Sequence, residues 1–495
     1  MPQPDPPPVR AGLSDSEPLP QLVDRLRRDL AGDFDLRRPV RLSRAPGRLD
    51  VMGGIADYTG SLVCEATLDR AAAVALQSRD DRTVCAVSLN LLDLRQPARF
   101  SVSLDDLAAA PSAEALHSRF FSAADRWAGY IVGCLYILHE KKHIDLRSAA
   151  VRGLNMALLS TVPLGAGVSS SAAIEVAAMM NVLDHFGLRD DSGQSLSPLA
   201  VAALCQEVEN RVVGAPCGIM DQVTSLCGVS GCLVRLLCQP HELLPPLHLP
   251  PGVRAIGINS NVKHSVGGGM YGRTRCAAFM GHAIILHEMR QAAGNPTMPD
   301  PMRGYLANLD PDEYRLRFRP RLPMNMKGRD FIASYGATAD RATAVQPDID
   351  YHVRQATDHH VFEAARVRRF VSLLEEVAAM PPHDPARAAA LWQAGRLMYE
   401  SHESYGRCAL LGAAETDLLV DLLHRREESG IHGAKITGGG SGGTVAVLME
   451  ASPHAEAAIR DVMQEYSCRT GLAPEAFMGS SSGAWTTGTA VISPE

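Results

Sequence analysis

No CxxC pair occurs anywhere in this chain of 495 residues, and its eleven cysteines, an odd number, are scattered through apolar segments such as those around Cys64, Cys134 and Cys205. That distribution argues for reduced, buried thiols in a cytoplasmic protein rather than for a disulfide framework. A long apolar run is missing as well. The longest, GYIVGCLYIL at Gly129–Leu138, is about half the ~20 residues a membrane helix needs, so a soluble protein is expected. Positive charge is in short supply: a net charge of −7 and a pI near 6.2 offer no basic field for a polyphosphate backbone, which argues against a nucleic-acid partner. Nothing repeats at a fixed period. The start, MPQPDPPPVRAGLSDSEPLPQ, lacks the apolar run of a signal peptide and the amphipathic pattern of a transit sequence. Residues 1–38 are therefore expected to form a Pro-rich, disordered tail.

What is present suits a folded enzyme-sized protein. Hydrophobic residues make up 46% and charged residues 21%, enough for buried cores, and the length suggests two to three domains or two large ones. Short β-rich pieces (LVCEATL, AAAVALQ, TVCAVSL) follow Pro39, and a helical pattern runs from Ala115 to Leu138. A strand, VRGLNMALLS, then leads through a loop into the helical AAIEVAAMMNVLDHFG, as in an α+β domain. The segment LLPPLHLPPG at Leu243–Gly252 holds four prolines in ten residues and can continue neither a helix nor a central strand. It is expected to separate one domain over 39–248 from a second over 249–495. Within the second, the Pro- and charge-rich interval 295–357 reads as a surface insertion.

Five sequence features bear on function. RAPGRLDVMGGIADY at Arg44–Tyr58 sets two arginines and two aspartates around a Gly-Gly-Ile. HEKKH at His139–His143 matches a two-histidine zinc pattern, but it ends an apolar helix, carries two lysines and is followed by no third acidic ligand, so it reads as accidental. PLGAGVSSSAA at Pro163–Ala173 is a small-residue loop between strand and helix. Its glycines let a ligand approach the backbone, and Ser169, Ser170 and Ser171 can cap the helix, donate to phosphate or touch a metal. It is also compatible with a plain serine-capped turn, and no lysine follows to make a Walker loop. CGIMDQ at Cys217–Gln222 places Asp221 in an apolar run, either as a functional carboxylate or as a helix-start acid held by backbone amides. Twelve residues earlier Glu209 could face the same cleft, although locally it reads as part of a solvated helix face. KITGGGSGG at Lys435–Gly443, with five glycines in six positions between two strand-like segments, is read as a strand connection passing close to a ligand rather than as a linker.

Taken together and in this order, these loops resemble the galactokinase-like sugar-1-kinases of the GHMP kinase superfamily, from about Pro39 to the C-terminus. WAGYIVG at Trp127–Gly133, SNVKHSVGGGMYGRTR at Ser260–Arg275, LPMNMKGRDFIASYG at Leu322–Gly336 and LMYESHESYG at Leu397–Gly406 extend the likeness. The last two lie nearer the arabinokinase domain of plants. The resemblance implies the GHMP kinase fold, an N-terminal α+β domain (ribosomal S5 domain 2-like) and a C-terminal ferredoxin-like domain, with the active site between them. It implies ATP held by Gly165, Gly167, Ser169, Ser170 and Ser171, and Mg²⁺ held by Ser171 and Glu209. It also implies Asp221 as base with Arg48 facing it, and a sugar site formed by Asp57, Gly54, Ile55, Gly218, Tyr271, Gly439 and Gly440. The pair at Asp221 and Arg48 suits the chemistry, because a C1 hydroxyl becomes nucleophilic as its proton moves to a carboxylate, and an arginine offsets charge on the phosphoryl group in flight.

The departure from the family pattern is Gly54-Ile55. Galactokinases carry Glu-His there, addressing the C6 hydroxymethyl group, and L-arabinopyranose is galactopyranose without that group. The resemblance therefore implies L-arabinose as substrate, with galactose or galacturonate as alternatives and a non-catalytic sugar- and ATP-binding regulator as a reading of another class. It leaves monomer and dimer equally open.

Overall fold

The computed structural model describes residues 18–121, 123–188, 196–262, 269–381 and 383–492. Residues 1–17 of the expected tail, and 263–268 within the Ser260–Arg275 motif, lie outside the described residues. Two sheets organise the chain. The larger has the strand order β14 (Thr489–Ile492), β1 (Val40–Met52), β2 (Leu62–Ser78), β5 (Leu154–Ser160), β3 (Thr83–Ser88) and β4 (Arg99–Ser103). On β2 also pairs β6 (Cys232–Leu237), which in turn pairs β7 (Glu242–His248). The smaller sheet is antiparallel, in the order β11 (Ile431–Ile436), β12 (Thr444–Glu450), β8 (Val253–Asn259) and β13 (Glu475–Phe477). A separate two-stranded ribbon consists of β9 (Met326–Lys327) and β10 (Asp350–Tyr351).

The pieces LVCEATL and AAAVALQ are one 17-residue strand that, besides β1, serves two neighbours: residues 62–66 pair β6 and residues 72–78 pair β5. Its side chains alternate between the faces of the sheet. Val74 and Leu76 enter the large core under the helices Ser170–Phe186 and Arg126–Glu140, whereas Ala73 and Ala75 belong to a second core on the opposite face.

That second core corrects the expected tail. From Pro18 to Asp29 the chain is a helix, and Leu19, Leu22, Val23 and Leu26 are buried on one stripe at helical spacing, followed by Leu30 and Phe34. The prolines and acids obscured this stripe. Covering the outer face of β1, β2 and β5 gives it a partner worth folding for, about 1.5–3 kcal/mol per large apolar side chain removed from water.

The proline-rich segment forms β7, paired with β6 alone through an interrupted register. An edge position tolerates its missing donors. The second sheet begins directly after it at β8, but the expected second domain over 249–495 is not contiguous, because β14 returns to pair with β1. The interval 295–357 is more than a surface excursion. Tyr314, Phe318 and Phe331 are buried in a core shared with the helices Met270–Ala292 and Val353–Ala379, and the latter already contains residues 353–357. Arg275 forms a two-point ion pair with Asp340 of this interval (2.9 Å each) and lies over the ring of Tyr58. The insertion thus braces the wall that carries Asp57.

Candidate active site

A cavity of about 540 Å³ opens between the two sheets. From the first unit it is lined by Arg48, Gly54, Ile55, Asp57 and the whole loop Pro163–Ser171, together with Glu209, Gly218 and Asp221. From the second come Tyr271, Gly438 and Gly439. Of the predicted residues Gly440 is the exception. It faces away from the cavity with φ +72°, where an added Cβ would lie 2.5 Å from the Leu411 carbonyl, and Gly438 takes the lining position instead.

Three of the sequence features, the Arg48 segment, the Gly-Ser loop and the glycine run, converge by backbone contacts. Strand β1 shifts register on β2 between Pro46 and Arg48, and Arg48 N–H donates to the Val168 carbonyl of the Gly-Ser loop (3.1 Å). The glycine run after β11 then presses on that loop from the other side. A Cβ at Gly438 would lie 2.7 Å from the Gly167 carbonyl, and one at Gly443 would lie 2.6 Å from that of Ala166. Its glycines therefore serve a close approach of two backbones as well as the cavity wall. Thr444 Oγ1 donates to the Ala166 carbonyl (2.8 Å), adding a bond across the same junction.

Arg48 is buried. Its Nε donates to Asp221 Oδ1 (2.8 Å) and Nη1 to the Gly167 carbonyl (2.7 Å), and Glu65 Oε2 stands 3.4 Å from Nε. Burial works against the guanidinium charge, but the carboxylates of Asp221, Glu65 and Asp50 outweigh it and hold the pKa above its ordinary value. The other oxygen of Asp221 accepts from the hydroxyl of Ser169. That serine has φ +55° and makes no cap bond to its helix; it donates to a carboxylate instead, a role outside those the sequence suggested. Among the described residues Ser170 Oγ is buried without a partner, at the first position of the helix Ser170–Phe186 and in the lining of the cavity.

Glu209 sits on a π-helical turn, Val208–Val213, rather than on a solvated helix face, a distortion that often accompanies a functional position. It is buried, hydrogen-bonded by Ser171, by Gln222 Nε2 (2.7 Å) and by Cys217 Sγ (3.5 Å). Burial, then the charge of Asp221, pushes its pKa up to about 7. Asp57 is raised to about 7 by the same two causes, with Arg275 and Arg48 pulling it back. Its carboxylate occupies the space over Gly218, where a Cβ would lie 1.5 Å from Oδ2.

Two further acids had no role assigned from the sequence: Glu65, which carries the signal that found Asp221, and Asp50, counted only as part of the charged set at Arg44–Tyr58. Glu65 is wholly buried beside Arg48 with neither oxygen hydrogen-bonded, and burial, then Asp50, drives its pKa well up. Asp50 pairs with Lys435 Nζ (2.6 Å), both fully buried. The HEKKH histidine His139 bonds backbone at Ile144 and Leu146, and Glu140 pairs with Arg211. Among the described residues no helix is long and apolar enough to cross a membrane.

The models for the N-terminal and C-terminal domains of GHMP kinases match residues 129–229 and 388–468. A galactokinase of Streptomyces coelicolor is 31% identical over 419 residues, covering 84% of this chain and 86% of that protein. The chain belongs to the galactokinase-like carbohydrate kinases of the GHMP family. An L-arabinokinase of Arabidopsis thaliana is 34% identical over 511 residues, 93% of this chain. The chain spans about half the length of that relative, 47%. Among solved structures, Lactococcus lactis galactokinase complexed with galactose superposes with a TM-score of 0.68 at 20% identity, over 93% of this chain and 99% of that one. A mevalonate kinase follows at 0.51 and 12%, over 89% and 99%. At these identities the structural likeness establishes the GHMP kinase fold.

Proposed function

We propose that this kinase transfers the γ-phosphoryl group of ATP to the anomeric hydroxyl of L-arabinose, giving L-arabinose 1-phosphate and ADP. The observation that carries the reading is the pairing of Arg48 with Asp221 at the mouth of the Gly-Ser loop, opposite a wall made of Gly54 backbone and the apolar Ile55. The loop amides and the unpartnered Ser170 hydroxyl suit a triphosphate. Asp221 takes the proton of the C1 hydroxyl as its oxygen bonds the γ-phosphorus and the bond to ADP breaks. Oδ2, now accepting from Ser169, is the oxygen the sugar hydroxyl would address, since Oδ1 is held by Arg48. The guanidinium offsets charge on the phosphoryl group in flight.

Ser171 and Glu209 fit Mg²⁺, being hard oxygen donors with a buried carboxylate that a cation would compensate. When bound there, the ion would neutralise phosphate oxygens. Asp57, beside Gly218 and near Tyr271, suits the ring hydroxyls common to arabinose and galactose. The lack of a polar side chain at Gly54-Ile55 favours the pentose, because a C6 hydroxyl would be buried without a partner. The similarity to the plant L-arabinokinase supports the same choice. An ADP-release assay over L-arabinose, galactose, galacturonate, fucose and glucose tests it. The expected order has L-arabinose highest in kcat/KM, and a higher value for galactose would overturn the assignment.

A further inference from the structure

The bare wall at Gly54 is not open space. An added Cβ there would lie 1.6 Å from the hydroxyl oxygen of Tyr405 and 2.6 Å from its Cζ, and Gly54 already has φ +38°. Tyr405 is fully buried, in a closed apolar cluster with Ile55, Ala409, Leu411 and Ile436. Its hydroxyl has two partners. It accepts from Ile55 N–H (3.1 Å) and donates to the Gly438 carbonyl (2.9 Å). Ile55 and Gly438 line the cavity from opposite units, so one phenol ties the two walls together from behind. Gly54 is held too, since its N–H donates to Asp50 Oδ1 (2.9 Å), and Lys435, the partner of Asp50, lies 5.2 Å from the Tyr405 ring centre.

From this geometry we infer that Tyr405 is the specificity-determining positioning residue of the sugar pocket. Its hydroxyl claims the volume that any side chain at position 54 would need, and its two hydrogen bonds stop the Gly54-Ile55 wall from receding. A hexose would then meet backbone and an apolar side chain where its extra hydroxymethyl group must go, with no polar partner and no room made for it. The identity of the favoured sugar rests on the L-arabinose reading, but the role of Tyr405 as the residue fixing that wall does not.

The test compares wild type, Tyr405→Phe, Tyr405→Leu and the double variant Gly54→Glu with Tyr405→Leu. The readouts are kcat and KM for L-arabinose and galactose, KM for ATP, and thermal unfolding. With the phenol oxygen gone, Tyr405→Phe should raise the KM for L-arabinose about tenfold while leaving kcat and the KM for ATP near wild type. The ratio of kcat/KM for L-arabinose over galactose should fall about tenfold in Tyr405→Leu, and further in the double variant, which restores a carboxylate to the vacated space. Folded Tyr405→Phe and Tyr405→Leu proteins with the wild-type sugar KM and ratio would overturn the assignment. So would a parallel loss of stability, ATP affinity and sugar affinity, the pattern of a merely structural tyrosine. A wild type that prefers galactose sinks the L-arabinose reading alone, and Tyr405 is still judged by whether its variants move the ratio.

Discussion

Arg48 Nε lies 2.8 Å from Asp221 Oδ1 and anchors that carboxylate to the backbone of the Gly-Ser loop, since the same guanidinium donates to the Gly167 carbonyl. The pair is held from both sides, so its geometry exists before any substrate arrives. That preorganisation makes the two residues separable by mutation.

Asp221→Asn keeps the volume and one acceptor but cannot take a proton. Turnover should fall by about 10²–10⁴, the usual worth of a positioned base, with the sugar KM changed far less. Arg48→Lys should be nearly as damaging, because a lysine cannot span Asp221 and Gly167 with one planar fork. Steady-state ADP release measures both. An Asp221→Asn protein with wild-type turnover would remove the base from the mechanism, and a wild type without turnover would favour the regulator.

Asp57 gives a pH signature. Its folded pKa, about 7, stands above the ordinary 3.8 because of burial and the nearby Asp221 charge. On the proposal that Asp57 accepts hydrogen bonds from the sugar hydroxyls in its ionised form, kcat/KM for the sugar should rise between pH 6 and 8. Stability should move the other way. The folded state keeps a proton that the unfolded chain has released, so this group's contribution is complete below the unfolded pKa and is lost as pH climbs through the folded one. Asp57→Asn should flatten both trends between about pH 4 and 8, as read by kcat/KM profiles and by denaturant midpoints. A wild-type kcat/KM that stays flat from pH 6 to 8 would exclude the role.

How much of this the sequence displayed follows from what each residue needs. Asp221, Arg48 and the Gly-Ser loop are local signals, acids and glycines in settings where only a special backbone or a partner makes sense, and they were legible. Gly54 was legible as an absence, but not its reason, because Tyr405 stands 351 positions away and meets it through tertiary packing. Glu65 carried the lone-acid signal inside a strand pattern that drew attention to alternation instead, and the partner that explains Asp50, Lys435, lies 385 positions away. The helix from Pro18 was hidden by composition: its stripe of four apolar residues sits among prolines and charges, and only the uncovered face of the sheet explains why it folds.

Lys435 and Asp50 are both fully buried, and Asp50 also receives Gly54 N–H and, at longer range, Gly438 N–H (3.3 Å). Lys435→Ala strands that carboxylate and should cost about 3–5 kcal/mol of stability by urea unfolding. Lys435→Met with Asp50→Asn, which removes both charges, should recover much of it. Equal losses in the single and double variants would show that the pair's charges do not matter to each other.

The helix Pro18–Asp29 supplies the last comparison. Leu26 is wholly buried against β1, β2 and β5, whereas Asp24, two residues earlier on the same helix, is exposed. Leu26→Ala leaves a cavity between helix and sheet and should destabilise the protein by about 2–5 kcal/mol, while Asp24→Ala should stay within about 0.5 kcal/mol. Chemical denaturation followed by circular dichroism separates the two. If this segment were an appendage with no part in the core, both substitutions would be silent. Because its leucines cover Ala73, Ala75 and Ala157 on a face with little bulk of its own, the loss at Leu26 should spread to β1, the strand that carries Arg48, lowering the temperature at which activity is lost along with the unfolding midpoint.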